Sequence, residues 1–150
     1  MIIDGRALAK EVLARAKTAP KASFQGDWLL GRGWDQNDWP EGQRVFPTKA
    51  SLDALFPTTP VVFDRVDGHA AWVNSEALRR AGIDAKTPDP AGGRIVRDAK
   101  GQPTGVLVDN AMNLVDAKVP SLTDEQRDAL LRAALARCAS VGLTGIHDAG

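Results

Sequence analysis

The sequence predicts an α+β fold, a small mixed sheet that includes a hairpin over residues 94–108 and is covered by three to five helices. Three observations carry that reading. Helix-period apolar stripes run through residues 6–17 and 123–141, a β-branched run occupies residues 60–66, and the stretch Asp98-Ala99-Lys100-Gly101 is a hairpin turn between two strand-like segments. Strand and helix signals therefore alternate irregularly along the chain, as a mixed sheet with helices requires.

Residues 6–17 place Leu8, Val12, Leu13 and Ala16 on one helical face, with Asp4 positioned to cap it and Pro20 beyond its end. Residues 27–31 read as a short buried strand running into a loop over 31–40 that carries Trp34 and Trp39. Bare loops rarely hold such large apolar groups, so this one is expected to pack against something. Thr48 opens a short helix with Leu52, Leu55 and Phe56, stopped by Pro57. The strand at 60–66 leads through Asp67-Gly68-His69 to a helix that Asn74 or Ser75 can cap, with Gly82 just past its end. Lys86–Gly93, with two prolines and two glycines, is a surface loop.

The hairpin strands are Arg94–Arg97 and Thr104–Val108, joined by a type I turn whose Gly101 takes the left-handed position. Pro103 is placed where an edge strand tolerates it. Thr123 and Gln126 form a capping box for a long last helix striped by Leu130, Leu131, Ala134, Leu135 and Cys138 and ended by Gly142. Residues 143–147 read as a strand breaking into the polar loop His147-Asp148-Ala149-Gly150. Helix, strand and polar loop in that order is the rhythm of a (β/α)₈ barrel, which needs ~250 residues to close. A truncated barrel protein is expected. Its last strand and helix stripe, stripped of neighbours, would associate with a second copy of the chain, giving a homo-oligomer.

Composition narrows the chemistry. The 150 residues carry 19 basic and 19 acidic side chains, which argues against a nucleic-acid partner. No apolar run reaches the ~20 residues of a membrane span. One cysteine excludes an intrachain disulfide, and Met1-Ile2-Ile3-Asp4-Gly5 lacks the pattern of a secretory signal, so a cytoplasmic location is expected. The two histidines, His69 and His147, stand at no metal-ligand spacing such as H-x-H, and a metal centre built by this chain alone is not expected.

Six ordered stretches carry a resemblance. They are Trp28-Leu29-Leu30-Gly31-Arg32-Gly33-Trp34-Asp35-Gln36, Pro47-Thr48-Lys49-Ala50-Ser51-Leu52-Asp53, and Arg65-Val66-Asp67-Gly68-His69-Ala70-Ala71-Trp72-Val73-Asn74-Ser75. Thr87-Pro88-Asp89-Pro90-Ala91-Gly92-Gly93-Arg94-Ile95, Pro103-Thr104-Gly105-Val106-Leu107 and Gly142–Gly150 follow. From about Glu11 onward the chain resembles amidohydrolase family 3, the YtcJ-like branch of the metal-dependent amidohydrolase superfamily.

The resemblance implies that residues 1–122 correspond to an α+β subdomain inserted between the first and second strands of the family's barrel. Residues 123–150 would correspond to the helix and strand that begin the barrel's second unit. It further implies a parent that hydrolyses C–N bonds other than peptide bonds in small amide-type molecules, using zinc or another divalent metal. The family's paired-histidine motif lies upstream of this segment, and its lysine, later histidines and final aspartate lie downstream. No metal ligand is carried over, no catalytic residue is assigned, and the chain alone is expected to be inactive. Residues 2–12 depart from the family and are faintly similar to the opening helix of methylenetetrahydrofolate dehydrogenase/cyclohydrolases, a reading that nothing downstream supports.

The candidate substrate-pocket residues each have a plainer alternative. Asp67 and His69, at a strand end, can orient a substrate carbonyl or simply fix a turn. His147 and Asp148 stand on the face where barrel chemistry occurs, or cover a loop. Trp34, Asp35 and Gln36, with Trp39, can wall a pocket or pack a long loop onto its own domain. Cys138 is read as a small core residue, and Arg79, Arg80, Arg94 and Arg97 as solvated charges.

Overall fold

The computed structural model describes residues 9–147, in two units, residues 1–120 and residues 121–150. The expected cap Asp4, the stripe residue Leu8 and the candidate Asp148 lie outside the described residues.

The first unit is a six-stranded mixed sheet. Its strands are β1 (Phe24–Gln25), β2 (Trp28–Trp34), β3 (Val61–Arg65), β4 (Ala70–Val73), β5 (Gly93–Arg97) and β6 (Pro103–Asp109), in the spatial order β1-β2-β3-β4-β6-β5. Only β2 and β3 run parallel, with Leu29 opposite Val61 and Gly31 opposite Phe63. Helices α1 (Ala9–Lys17), α2 (Lys49–Asp53), α3 (Ser75–Ala81) and α4 (Asn113–Asp116) belong to this unit.

Period-2 alternation sorts the strand residues between two cores. Leu29, Trp34, Val61, Phe63, Ala70, Trp72 and Val106 pack on one side with Val12 and Ala16 of α1 and Leu52 of α2. Trp28, Val62, Ala71, Val73, Ile95 and Leu107 pack on the other with Ala77 and Leu78 of α3 and Val115 of α4. A strand covered on both faces reads as a continuous apolar run, which is why Val61-Val62-Phe63 shows no alternation in sequence.

Asn74 ties the centre together. It is wholly buried, and all four hydrogen-bonding positions of its amide are used. Oδ1 accepts from the Val61 and Ala77 N–H groups, at 3.0 Å each, and Nδ2 donates to the carbonyls of Phe56 (2.9 Å) and Thr59 (2.8 Å). The residue therefore caps α3 and also pins the entry to β3. Gly82 ends α3 in the left-handed conformation, φ 70°. At the hairpin the Gly101 N–H donates to the Asp98 carbonyl (2.9 Å), and Gly101 has φ 76°, as the turn sequence predicts.

Several expectations are corrected. Gly31–Trp34, read as loop, continue β2, because pairing with β3 outweighs the poor strand propensity of two glycines; a register shift between Arg32 and Trp34 absorbs the second. Ala70–Val73 form a strand that the sequence reading passed over. Pro103 starts β6, which lies inside the sheet rather than at its edge. The proline is tolerated as the first residue, opposite Arg97 of β5 and beyond the last β4 pair at Val106. Arg80 is not a free surface charge: it pairs with Glu76 (2.8 Å) and Asp27 (2.7 Å) and lies over the Trp28 ring.

In the second unit, α5 (Asp124–Ser140) starts with the expected capping box between Thr123 and Gln126. It closes with Gly142 N–H to the Ala139 carbonyl and Leu143 N–H to the Cys138 carbonyl, each 3.0 Å, around Gly142 at φ 80°. Residues 143–147, expected as a strand, form none; a strand is completed only by a neighbour's hydrogen bonds, and the second unit has no other strand among its described residues. Leu130, Leu131 and Leu135 of the stripe stay exposed, and Cys138 is half-buried rather than a core residue.

Candidate functional site

The turn between β3 and β4 holds the densest set of directed polar contacts among the candidate residues. Arg65, at the end of β3, forms a two-pronged pair with Asp67: Nε to Oδ1 and Nη2 to Oδ2, both 2.8 Å. Asp67 Oδ1 also accepts the His69 backbone N–H at 3.0 Å. The guanidinium first, and that N–H in addition, hold the Asp67 carboxyl below the usual carboxylate range. Gly68, between them, has φ 76°, which lets the chain reverse within one residue. The His69 ring then meets the end of β6, with Nδ1 2.9 Å from Asp109 Oδ1. Both side chains remain open to solvent. A carboxylate beside Nδ1 orients the ring.

Trp34 is enclosed in the core, not on a pocket wall. It has no exposed surface, its Nε1 donates to the Phe63 carbonyl at 2.6 Å, and its ring lies 6.3 Å from both Trp39 and Trp72. Asp35 caps a short 3₁₀ turn by accepting the Asn37 N–H at 2.9 Å. Gln36 is buried in that turn, and its Oε1 has no hydrogen-bond partner in the structure. His147 is exposed in the second unit. The structure thus joins Asp67 and His69 in one cluster and Trp34, Asp35 and Gln36 in another.

Two further carboxylates escaped the sequence reading. Asp109 reaches His69 across 40 positions of sequence, and no local pattern points to that contact. Asp64 follows Val61-Val62-Phe63, and a carboxylate in so apolar a strand was the available signal. Its side chain turns to the α3–α4 face, with one oxygen buried and unpartnered. Burial, then the nearby Asp116 charge, push its carboxyl up to about 6, while Arg32 opposes the shift. Burial likewise raises Asp116.

The donor set does not fit a divalent metal. His69 and Asp109 engage each other, and no group of three or more His, Cys, Asp or Glu side chains that could hold an ion occurs among the described residues. A cleft of about 380 Å³ lies between α3 and the hairpin, lined by Lys49, Ser75, Leu78, Arg79, Ile83 and Gln102, and none of the candidate residues borders it. No described helix is long and apolar enough to cross a membrane.

A family model described as the amidohydrolase family, of the family-3 type, matches residues 4–150. The chain belongs to amidohydrolase family 3. The chain is 44% identical over 137 residues to the putative amidohydrolase YtcJ of Bacillus subtilis, a match spanning 91% of the chain and 26% of the relative. It is 37% identical over 130 residues to an N-substituted formamide deformylase of Arthrobacter pascens, with 83% of the chain and 23% of the relative covered. The chain therefore spans about a quarter of the length of these relatives. In fold it is similar to an uncharacterized metal-dependent hydrolase from Pyrococcus horikoshii, at a TM-score of 0.62 and 22% identity over 95% of this chain and 25% of that one.

Proposed function

We propose that this chain is the part of a metal-dependent hydrolase of non-peptide C–N bonds that shapes the mouth of the active site, acts on small amide-type molecules only within the larger protein, and performs no hydrolysis alone. The observation that carries the reading is the tip at His69, where Asp67 accepts the backbone N–H and Asp109 meets the exposed ring, while no group of three or more side chains that could hold a metal ion occurs among the described residues. Such an imidazole contacts a substrate but does not generate a metal-bound nucleophile. Membership of amidohydrolase family 3, the coverage of a quarter of its relatives, and the relative that is an N-substituted formamide deformylase support the hydrolytic context. The test is elemental analysis of the purified chain together with an assay on N-substituted formamides. The expected result is no stoichiometric metal and no turnover; about one bound zinc per chain with amide hydrolysis refutes the proposal.

A second reading, a self-associating α+β module, is favoured by one observation. Leu130, Leu131, Leu135, Val141, Leu143 and Ile146 of the second unit are each more than half exposed. Light scattering behind a sizing column over a tenfold dilution series decides it, and a 16.0 kDa species at every concentration refutes it.

A further inference from the structure

His69 is held at three atoms. Its backbone N–H donates to Asp67 Oδ1 (3.0 Å), its carbonyl accepts from the Asp109 N–H (3.1 Å), and its ring Nδ1 lies 2.9 Å from Asp109 Oδ1. The imidazole side chain is 69% exposed, and its one ring contact, Nδ1 to Asp109, favours a single orientation. A carboxylate only accepts hydrogen bonds, so the neutral ring facing it carries its proton on Nδ1 and presents a lone pair on Nε2.

Asp109 is itself in an unusual state. With φ 49° it is the single non-glycine residue of positive φ among the described residues. Glycine would occupy that position without strain, so the backbone alone does not call for aspartate there. What aspartate adds is the carboxylate that meets the ring. A strained residue bearing a directed polar group is a pointer to function.

Asp67 is paired with Arg65, and the Asp109 carboxylate with the His69 ring. In the Nδ1–H tautomer Nε2 and the Asp109 carboxylate are both acceptors, which favour an N–H donor over an anion.

We propose that Asp109 is a positioning residue that fixes His69 in the Nδ1–H tautomer, so that Nε2 accepts a hydrogen bond from the N–H of a small amide. The choice of an amide rests on the hydrolase reading above; the tautomer does not.

The test is ¹⁵N NMR of the full chain near pH 8, with the His69 ring signals identified by their loss in His69→Gln. The wild type shows the Nδ1–H tautomer. Asp109→Gly relieves the positive φ and keeps the tryptophan fluorescence of the folded chain, yet shifts the tautomer ratio about fivefold or more towards Nε2–H. Asp109→Asn, also tolerant of that φ, serves as the second variant, and it weakens the preference because an amide can donate as well as accept. N-methylacetamide moves the wild-type Nε2 signal saturably and leaves Asp109→Gly unmoved, and acetate moves neither.

An Nε2–H ring in the wild type, or an unchanged ratio in Asp109→Gly, overturns the positioning role. Acetate acting as strongly as the amide, or no response to the amide, overturns the ligand class. Amide turnover by the isolated chain would refute the hydrolase-segment reading while leaving the tautomer result standing, so the two failures are distinguishable.

Discussion

Asp64→Asn is expected to stabilise the protein at neutral pH. The unfolded carboxyl titrates near 3.8, and the folded one is pushed up to about 6 by burial and by the neighbouring Asp116. Between those values the native state binds the proton more tightly than the unfolded chain, so stability falls as pH rises from about 4 to about 6 and stays reduced above. A shift of roughly two units corresponds to ~3 kcal/mol at most. Because the side chain is partly open to solvent, roughly 1–2 kcal/mol is the realistic gain. Asparagine has the same shape and cannot ionise.

The assay is urea unfolding followed by tryptophan fluorescence at a series of pH values from 4 to 8. All four tryptophans, Trp28, Trp34, Trp39 and Trp72, lie in the first unit, so the signal reports the unit that contains Asp64. The difference between variant and wild type should be near zero at pH 4, grow up to about pH 6 and remain level beyond. Asp116, also raised by burial, retains its own titration in the variant, and the difference curve isolates Asp64. A difference that is the same at pH 4 and pH 8, or a wild type that is the more stable at pH 8, refutes the reasoning.

Asn74→Ala should cost roughly 3 kcal/mol or more, since it strands two buried N–H groups and two carbonyls and removes the α3 cap; a loss below ~1 kcal/mol in the same unfolding assay would mean water replaces the amide. A Cβ at Gly101 meets no atom within 4 Å, so Gly101→Val should lose mainly the ~1–2 kcal/mol of a strained positive φ. Gly105→Ala, though the smaller change, should cost more, because its Cβ would come within 2.6 Å of Lys49 Cβ and the Val73 carbonyl oxygen; the reverse order of melting temperatures refutes this packing. Arg79 first, then Arg80, hold the Glu76 carboxyl down at about 2 from its ordinary 4.5, so that part of the stability is present above pH 4.5 and is lost as pH falls towards 2. Glu76→Gln should flatten that acid limb, measured as the unfolding midpoint between pH 2 and 5.

Sequence alone determined the features whose hydrogen bonds close within a few residues. The Asp98–Gly101 turn is one: Asp98 Oδ1 accepts the Lys100 and Gln102 N–H groups at 2.8 and 2.9 Å, so the residue types specify their own geometry. The Thr123–Gln126 capping box and the Asn74 and Gly82 boundaries of α3 are others. The six ordered motifs likewise suffice to place the chain in its family.

Tertiary structure decided everything that depends on which strand lies beside which. Pairing with β3 made a strand of Gly31–Trp34 and carried Trp34 into the core, against local propensity. Residues 143–147, with an equally apolar start, remain unpaired because a strand is completed only by its neighbour's hydrogen bonds. The candidate site divides in the same way. Asp67 and His69 were legible as a polar turn, since Asp67 binds the His69 backbone two residues on. Asp109 was not, because its approach to the imidazole is set by the pairing of Ala70 with Val108, a register that local propensity does not encode.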